Sequence, residues 1–242
     1  MTLTEVQLTT IRSQPKEWLA GIIRAGHSEL AIELVRDHPE LLQTRFSGNV
    51  TPLQVAAFAR QREIADSLCA MGAKLDFITA IALGRTGTVR AMLSRDPNLI
   101  HKCAPEGGWT ALHIGAGYAD TELMTLLISF GGGVNARDRR GLTPIFFATG
   151  TPYSNAELLL ANGADVNAHG KHGFTALHYA AAAGNTSFVS FLLTHGADAN
   201  AQTDARQTPW ALAVRRGHQD VVLLLQSRKT RTLETVDPLP PL

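Results

Sequence analysis

Cysteine is nearly missing from this 242-residue chain, in which Cys69 and Cys103 stand alone. Two thiols so far apart make neither a disulfide framework nor a four-ligand zinc site, and they read as reduced side chains of an intracellular protein. Long apolar runs are missing too. The longest, such as 221–225, fall far short of the ~20 residues that a membrane span needs. The opening residues, MTLTEVQLTTIRSQPKEW, lack the basic stretch and apolar core of a signal peptide. An excess of one charge is also lacking. Twenty-two basic and 21 acidic residues leave +1, so no whole-molecule field recruits nucleic acid or anionic lipid, and only a local patch remains open to them. These absences lead us to expect a soluble cytoplasmic protein. Apolar surface, by contrast, is plentiful: 45 % of residues are hydrophobic and 18 % charged, a balance that supports a packed core.

One signature recurs in five places: Thr51-Pro52-Leu53, Thr110-Ala111-Leu112-His113, Thr143-Pro144-Ile145, Thr175-Ala176-Leu177-His178 and Thr208-Pro209-Trp210. The last four threonines are 33, 32 and 33 residues apart, and the 59 residues from Thr51 to Thr110 leave room for one degenerate unit. Each signature has the chemistry of a helix start. A threonine oxygen accepts from a backbone N–H that the first turn would otherwise orphan. Proline at the next position gives up an N–H that had no partner. Small residues follow, such as Val55-Ala56-Ala57 and Tyr179-Ala180-Ala181, then a break at Ala183-Gly184-Asn185, then a second amphipathic stretch, as at 188–193. Gly72, Gly131, Gly163 and Gly196 close the second helices, where a left-handed residue is wanted.

These segments resemble ankyrin repeats, a pattern of T-P-L-H, A-A, G-H, then V-x-L-L-L and G-A-D-V-N-A. The best copies are 108–136, 173–201 and 141–168. Gly26-His27-Ser28-Glu29-Leu30 matches the start of a second helix, which puts the first repeat near Glu17 with Trp18 and Leu19 as inner apolar residues. Residues 89–93 make another second helix, and its partner falls near 77–83. That leaves almost no hairpin between the second and third repeats. The first and third repeats run instead into Pro-marked turns at Pro39 and Pro97. The resemblance implies an all-α solenoid of about seven helix-turn-helix repeats with short β-hairpin loops, starting near 17, 46, 76, 105, 138, 170 and 203. Residues 1–16 form an N-terminal extension, 17–228 the repeat domain and 229–242 a disordered tail that ends in the polyproline-like Pro238-Leu239-Pro240-Pro241-Leu242. The fifth repeat departs from the pattern. It is a residue short, has Phe146 in the histidine position, and carries Pro152 between its helices, so its first helix is shortened or its second begins there; a distorted groove and neutral drift both remain open.

No catalytic, metal or cofactor site is expected. His113 and His178 occupy the T-x-L-H position, where the resemblance implies hydrogen bonds between repeats, and His27 and His218 occupy the G-H step. His169 and His172 have no further ligand beside them. Gly131-Gly132-Gly133 closes a helix and lacks the Lys-Ser/Thr of a phosphate loop, and no serine stands in a G-x-S-x-G elbow. In ankyrin stacks partners bind the concave side, made of hairpin tips and the exposed ends of first helices. There the residues before the capping threonines are Trp109, Leu142, Phe174 and Gln207. Three are large and apolar, either anchors for a partner or packing for the next hairpin. Arg139 and Arg140, Lys171 and His172, and Arg206 follow on successive tips; Arg215 and Arg216 close the last first helix, where the fourth repeat has Gly117 and Tyr118. In-register stacking predicts one basic stripe. The expected function is non-catalytic binding of another protein, one with an acidic surface, by a monomer: a scaffold, adaptor or inhibitor. The alternative is nucleic-acid or acidic-ligand binding through the same stripe, for which no recognised motif is present. An enzyme with a site between repeats is a third, disfavoured class.

Overall fold

The computed structural model describes residues 10–234 except 12, 105, 106 and 151, with side chains described as far as residue 227. The tail motif at 238–242 therefore lies outside the described residues. The chain divides into two compact units, 1–106 and 107–242. Regular structure among the described residues is helical, as an ankyrin stack requires. The hairpins narrow to single bridges, Phe46 with Val50 and His169 with Thr175.

In the first unit, three helix pairs follow one another: α1 (Pro15–Ala25) with α2 (Ser28–Asp37), α3 (Pro52–Phe58) with α4 (Arg62–Ala70), and α5 (Phe77–Ala82) with α6 (Thr86–Arg95). Leu19, Ile22 and Ile23 give α1 its buried face. Trp18 was expected inside and is 46 % exposed, because one residue of helix is a rotation of about 100° away from that face. Thr51 caps α3 reciprocally with Gln54, each accepting a bond from the other's backbone N–H. Between α4 and α5 a single aspartate replaces the hairpin. Asp76 accepts from the Thr79 backbone N–H at the start of α5 and from the Gln54 side chain on α3, so it caps one helix and ties it to its neighbour. Short 3₁₀ turns at Pro39–Gln43 and Pro97–His101 follow α2 and α6. Each tucks one apolar residue inward, Leu41 and Ile100.

The second unit repeats the theme four times: α7 (Ala111–Tyr118) with α8 (Thr121–Ser129), a 3₁₀ turn (Pro144–Phe147) with α9 (Ser154–Ala161), α10 (Ala176–Ala182) with α11 (Thr186–Thr194), and α12 (Pro209–Arg216) with α13 (Gln219–Glu234). First helices pack on first helices and second on second. The interior is Leu123, Leu127, Leu159, Phe188 and Leu192, all fully buried, and each such side chain contributes about 1.5–3 kcal/mol of burial. Gly131, Gly163 and Gly196 have the left-handed backbone their sequence positions called for. The last helix runs to Glu234, past the expected end at 228, because the first proline or glycine beyond Gly217 is Pro238.

The fifth sequence repeat shows what Phe146 does. In the neighbouring copies, the His113 Nδ1 accepts from the Thr110 backbone N–H at 3.1 Å and His178 does the same for Thr175 at 3.2 Å. Phe146 has no acceptor to offer. Thr143 makes no cap bond, its hydroxyl is buried without a partner, and the helix shrinks to a four-residue 3₁₀ turn. The fifth repeat is thus locally distorted.

Candidate partner-binding surface

Two fingertips of the second unit are each built around a polar knot. Asp138 sits five residues before the Thr143 position and is buried. Its Oδ1 accepts from the backbone N–H groups of Arg140 and Leu142, both at 2.8 Å, and its Oδ2 accepts from the Trp109 indole at 3.3 Å. This closes the tip as an Asx turn and pins the Trp109 ring from the preceding finger. Thr203, five residues before Thr208, does the same more simply, accepting from the Gln207 N–H at 3.1 Å. Gly170 stands at the matching place between them. A side chain there would run into Leu142 at 2.6 Å, so the fingers stack through a contact only glycine permits.

Backbone hydrogen bonds then tie finger to finger. Arg139 N–H donates to the Gly107 carbonyl at 2.8 Å, Lys171 N–H to the Arg140 carbonyl at 2.8 Å, and Asp204 N–H to the His172 carbonyl at 3.0 Å. This rail holds Arg139 and Arg140, Lys171 and His172, and Arg206 on adjoining exposed tips. His172 and Arg206 both have left-handed backbone, at φ 62° and 56°. Two carboxylates temper the row. Asp138 lies 4.0 Å from the Arg140 guanidinium, and Asp204 lies 3.9 Å from the His172 ring. Arg215 and Arg216 do not join it. They occupy the last turn of α12, seven and eight residues beyond the Thr208 cap, which is about 10 Å along the helix axis from the finger.

The residues before the capping threonines are largely packed. Leu142 is 3 % exposed, packed at the base of its own tip. Trp109 and Phe174 are half-buried. Trp109 meets Phe147 edge-on at 5.8 Å, and Phe174 meets His178 and Tyr179 at 5.7 Å each. Tyr118 is half-buried at the end of α7. The exposed ring is Tyr179, at 42 %, set edge-on against Phe146 at 5.6 Å. Ile114 and Leu212 at the same place are buried, so a tyrosine in that register was the available signal. Phe146, Phe174 and Tyr179 thus form one continuous aromatic patch beside the basic tips.

The buried histidines complete the scaffold beneath. With Nδ1 accepting from threonine, each ring carries its proton on Nε2, which donates to the Leu142 carbonyl from His113 and to the Gln207 carbonyl from His178, both at 2.9 Å. Desolvation lowers both pKa values below the ordinary histidine range; the carbonyl bonds and, more weakly, the charges of Asp138 and Asp198 pull the other way. His218 likewise reaches back to the Ala182 carbonyl at 3.0 Å. Among the described residues no group of three or more His, Cys, Asp or Glu side chains could hold a metal, and no helix is long and apolar enough to cross a membrane.

Comparison with known proteins agrees with the geometry. The family description "Ankyrin repeats (3 copies)" matches residues 77–170 and 150–234. The chain belongs to the ankyrin-repeat family. Curated relatives include the potassium channel AKT1 of Oryza sativa subsp. indica, 34 % identical over 114 residues that make up 47 % of this chain and 9 % of the channel. Human ankyrin repeat domain-containing protein 63 is 29 % identical over 167 residues, 65 % of this chain and 44 % of that protein. The ankyrin repeat-containing protein P1E11.10 of Schizosaccharomyces pombe is 35 % identical over 63 residues, covering 26 % and 30 %. The chain thus spans less than half the length of each of these relatives. Ankyrin repeats are in general protein–protein interaction modules, and that class applies here.

Proposed function

We propose that the protein is a non-catalytic cytoplasmic adaptor, working as a monomer, that holds an acidic segment of a partner protein on the finger side of residues 107–216. The observation that carries this is the hydrogen-bonded rail, which holds five basic side chains on adjoining tips. Arg139, Arg140, Lys171 and Arg206 supply charge contacts, and the His172 ring lies among them. Trp109 and Phe174 brace the fingers, and Tyr179 is the exposed anchor beside them. A pre-set row loses little entropy on binding, and planar guanidinium groups suit carboxylates. Arg215, Arg216 and Tyr118 line the far end of the first helices and would meet only a partner long enough to cross the groove. Leu142 acts from beneath, as packing.

The test is affinity capture of the partner by the intact protein and by the Arg139→Glu/Arg140→Glu variant, at matched fold by circular dichroism. Reversal of two rail charges should weaken binding at least tenfold and flatten its salt dependence. Equal capture by both proteins refutes the charge assignment. Steeply salt-dependent binding to random DNA or RNA, lost in the same variant, would establish the nucleic-acid reading in its place.

A further inference from the structure

Charged tips and an open aromatic ring recur at one fixed spacing in the second unit. Counting back four places from the capping threonines puts Arg139, Lys171 and Asp204 in one register on successive fingers. All three are exposed. The rail fixes that register, because Lys171 N–H donates to the Arg140 carbonyl and Asp204 N–H to the His172 carbonyl. Packed helices stand about 8–10 Å apart, so equivalent places on neighbouring fingers repeat at about that distance. Arg140 faces Asp138, and Arg206 lies two residues out of register, which leaves Arg139 and Lys171 as the pair in step. The rings lie beside them. Phe147 turns to Trp109 and His113, whereas its neighbour Phe146 turns to Tyr179. Phe174, three residues after Lys171, meets Tyr179 at 5.7 Å. The element packed beside Tyr179 from the fifth repeat is the four-residue turn Pro144–Phe147, half as long as α7 or α12. It leaves the 42 % exposed ring open to a planar apolar group.

We propose that the occupant is a polyproline-II segment of the partner with two acidic residues three places apart. Their carboxylates meet Arg139 and Lys171, and a proline between them packs on Tyr179 and Phe146. The inference rests on the acidic-partner reading above and sharpens it. Polyproline II has three residues per turn and a rise of about 3.1 Å, so it presents the same side every ~9 Å, the spacing of the fingers. A β-strand does so every ~7 Å, and an α-helix brings i and i+4 to about 6 Å. Proline is preset for the extended form and packs its flat ring on aromatic side chains at low entropic cost. Asp204 then fixes the position. An acid moved one finger along would meet its carboxylate, so the segment does not slide. The same carboxylate opposes nucleic acid, whose backbone carries a charge at every residue, whereas a peptide leaves that place neutral.

The test reads fluorescence anisotropy of three dye-labelled peptides with the full chain. EPPEPP carries the spacing, EEPPPP has the same composition with adjacent acids, and EAAEAA keeps the spacing without proline. EPPEPP should bind the parent at least fivefold more tightly than either of the others. Tyr179→Leu, the side chain that α12 carries as Leu212 in the same register, should erase the advantage over EAAEAA and leave EAAEAA itself unchanged. Equal affinity for EPPEPP and EEPPPP overturns the proposal, yet the acidic-partner reading survives if Arg139→Glu/Arg140→Glu abolishes both. A proline advantage that persists in Tyr179→Leu also overturns it. So does tighter binding of a ten-residue oligothymidylate, or no binding of EPPEPP at millimolar concentration, and the capture experiment above then decides the acidic-partner reading separately.

Discussion

The most searching perturbation is His113→Phe, which writes into the fourth repeat the substitution that the fifth carries naturally at Phe146. His113 is buried, its Nδ1 accepts from the Thr110 N–H, the Thr110 hydroxyl lies 2.8 Å from that nitrogen, and its Nε2 donates to Leu142. Phenylalanine keeps an aromatic ring for the edge contact with Phe147, which is 5.5 Å from the present ring, and adds one ring atom. What disappears is hydrogen bonding. The Leu142 carbonyl keeps a second donor in the Asp138 N–H at 2.9 Å, but the Thr110 N–H loses its partner. An orphaned part-buried donor costs about 1–3 kcal/mol, and the lost Nε2 bond adds about 1 kcal/mol. The expected loss is thus ~2–4 kcal/mol, or roughly 4–16 °C in melting temperature for a chain of this size. Urea and thermal unfolding followed by circular dichroism at pH 7.5 read it directly. The pH dependence supplies a second signature. Burial penalises the charged ring, so its folded pKa lies below the unfolded value. Stability from His113 and His178 is therefore complete above the unfolded pKa and lost as pH falls through and below ~6.5. His113→Phe/His178→Phe should flatten that acid limb. A single variant as stable as the parent, or a double variant with an unchanged acid limb, refutes the account of the threonine–histidine cap.

Three further outcomes follow from other contacts. Asp138→Ala removes the acceptor of two backbone bonds and the Trp109 indole bond; it should cost about 2–4 kcal/mol in urea unfolding and red-shift the Trp109 emission. Gly132→Ala looks conservative because the family pattern has alanine there. The new methyl would lie 2.8 Å from the Leu127 carbonyl oxygen and 2.9 Å from Leu112, so we expect a loss of about 1–3 kcal/mol, measured by thermal melting. Cys103 is exposed, whereas Cys69 is half-buried and burial pushes its thiol pKa up against the opposing charge of Arg85. A disulfide reagent near neutral pH should therefore react in two phases, and Cys103→Ser should remove the fast one.

Much of the fold is legible in the sequence because ankyrin geometry is local. A threonine cap, a glycine terminator and small residues between them act within one helix pair, and the 33- and 32-residue spacing shows the pairs repeating. The two Pro-marked turns are equally local, and so is the departure of the fifth repeat at Phe146 and Pro152. The binding surface is less legible, since exposure depends on neighbours. Leu142 and Trp109 occupy equivalent positions, yet one is sealed beneath its own tip and the other is held sideways by an aspartate 29 residues away. Tyr179 stands where Ile114 and Leu212 are buried, so nothing local marks its ring as exposed. The shortened helix at Pro144–Phe147 leaves room for its ring to turn outward against Phe146.

The repeat and the helix starts and stops were legible in the sequence alone, because each follows from bonds made within about five residues. The structural histidines were legible only through the repeat pattern, since their ring bonds reach carbonyls 29 and 36 residues away. Only the tertiary fold set which tips align, that the Tyr179 ring faces out beside them, and that Arg215 and Arg216 stand apart from the basic row. Those depend on contacts about one repeat away or more, where stacking and not local propensity sets what each side chain meets.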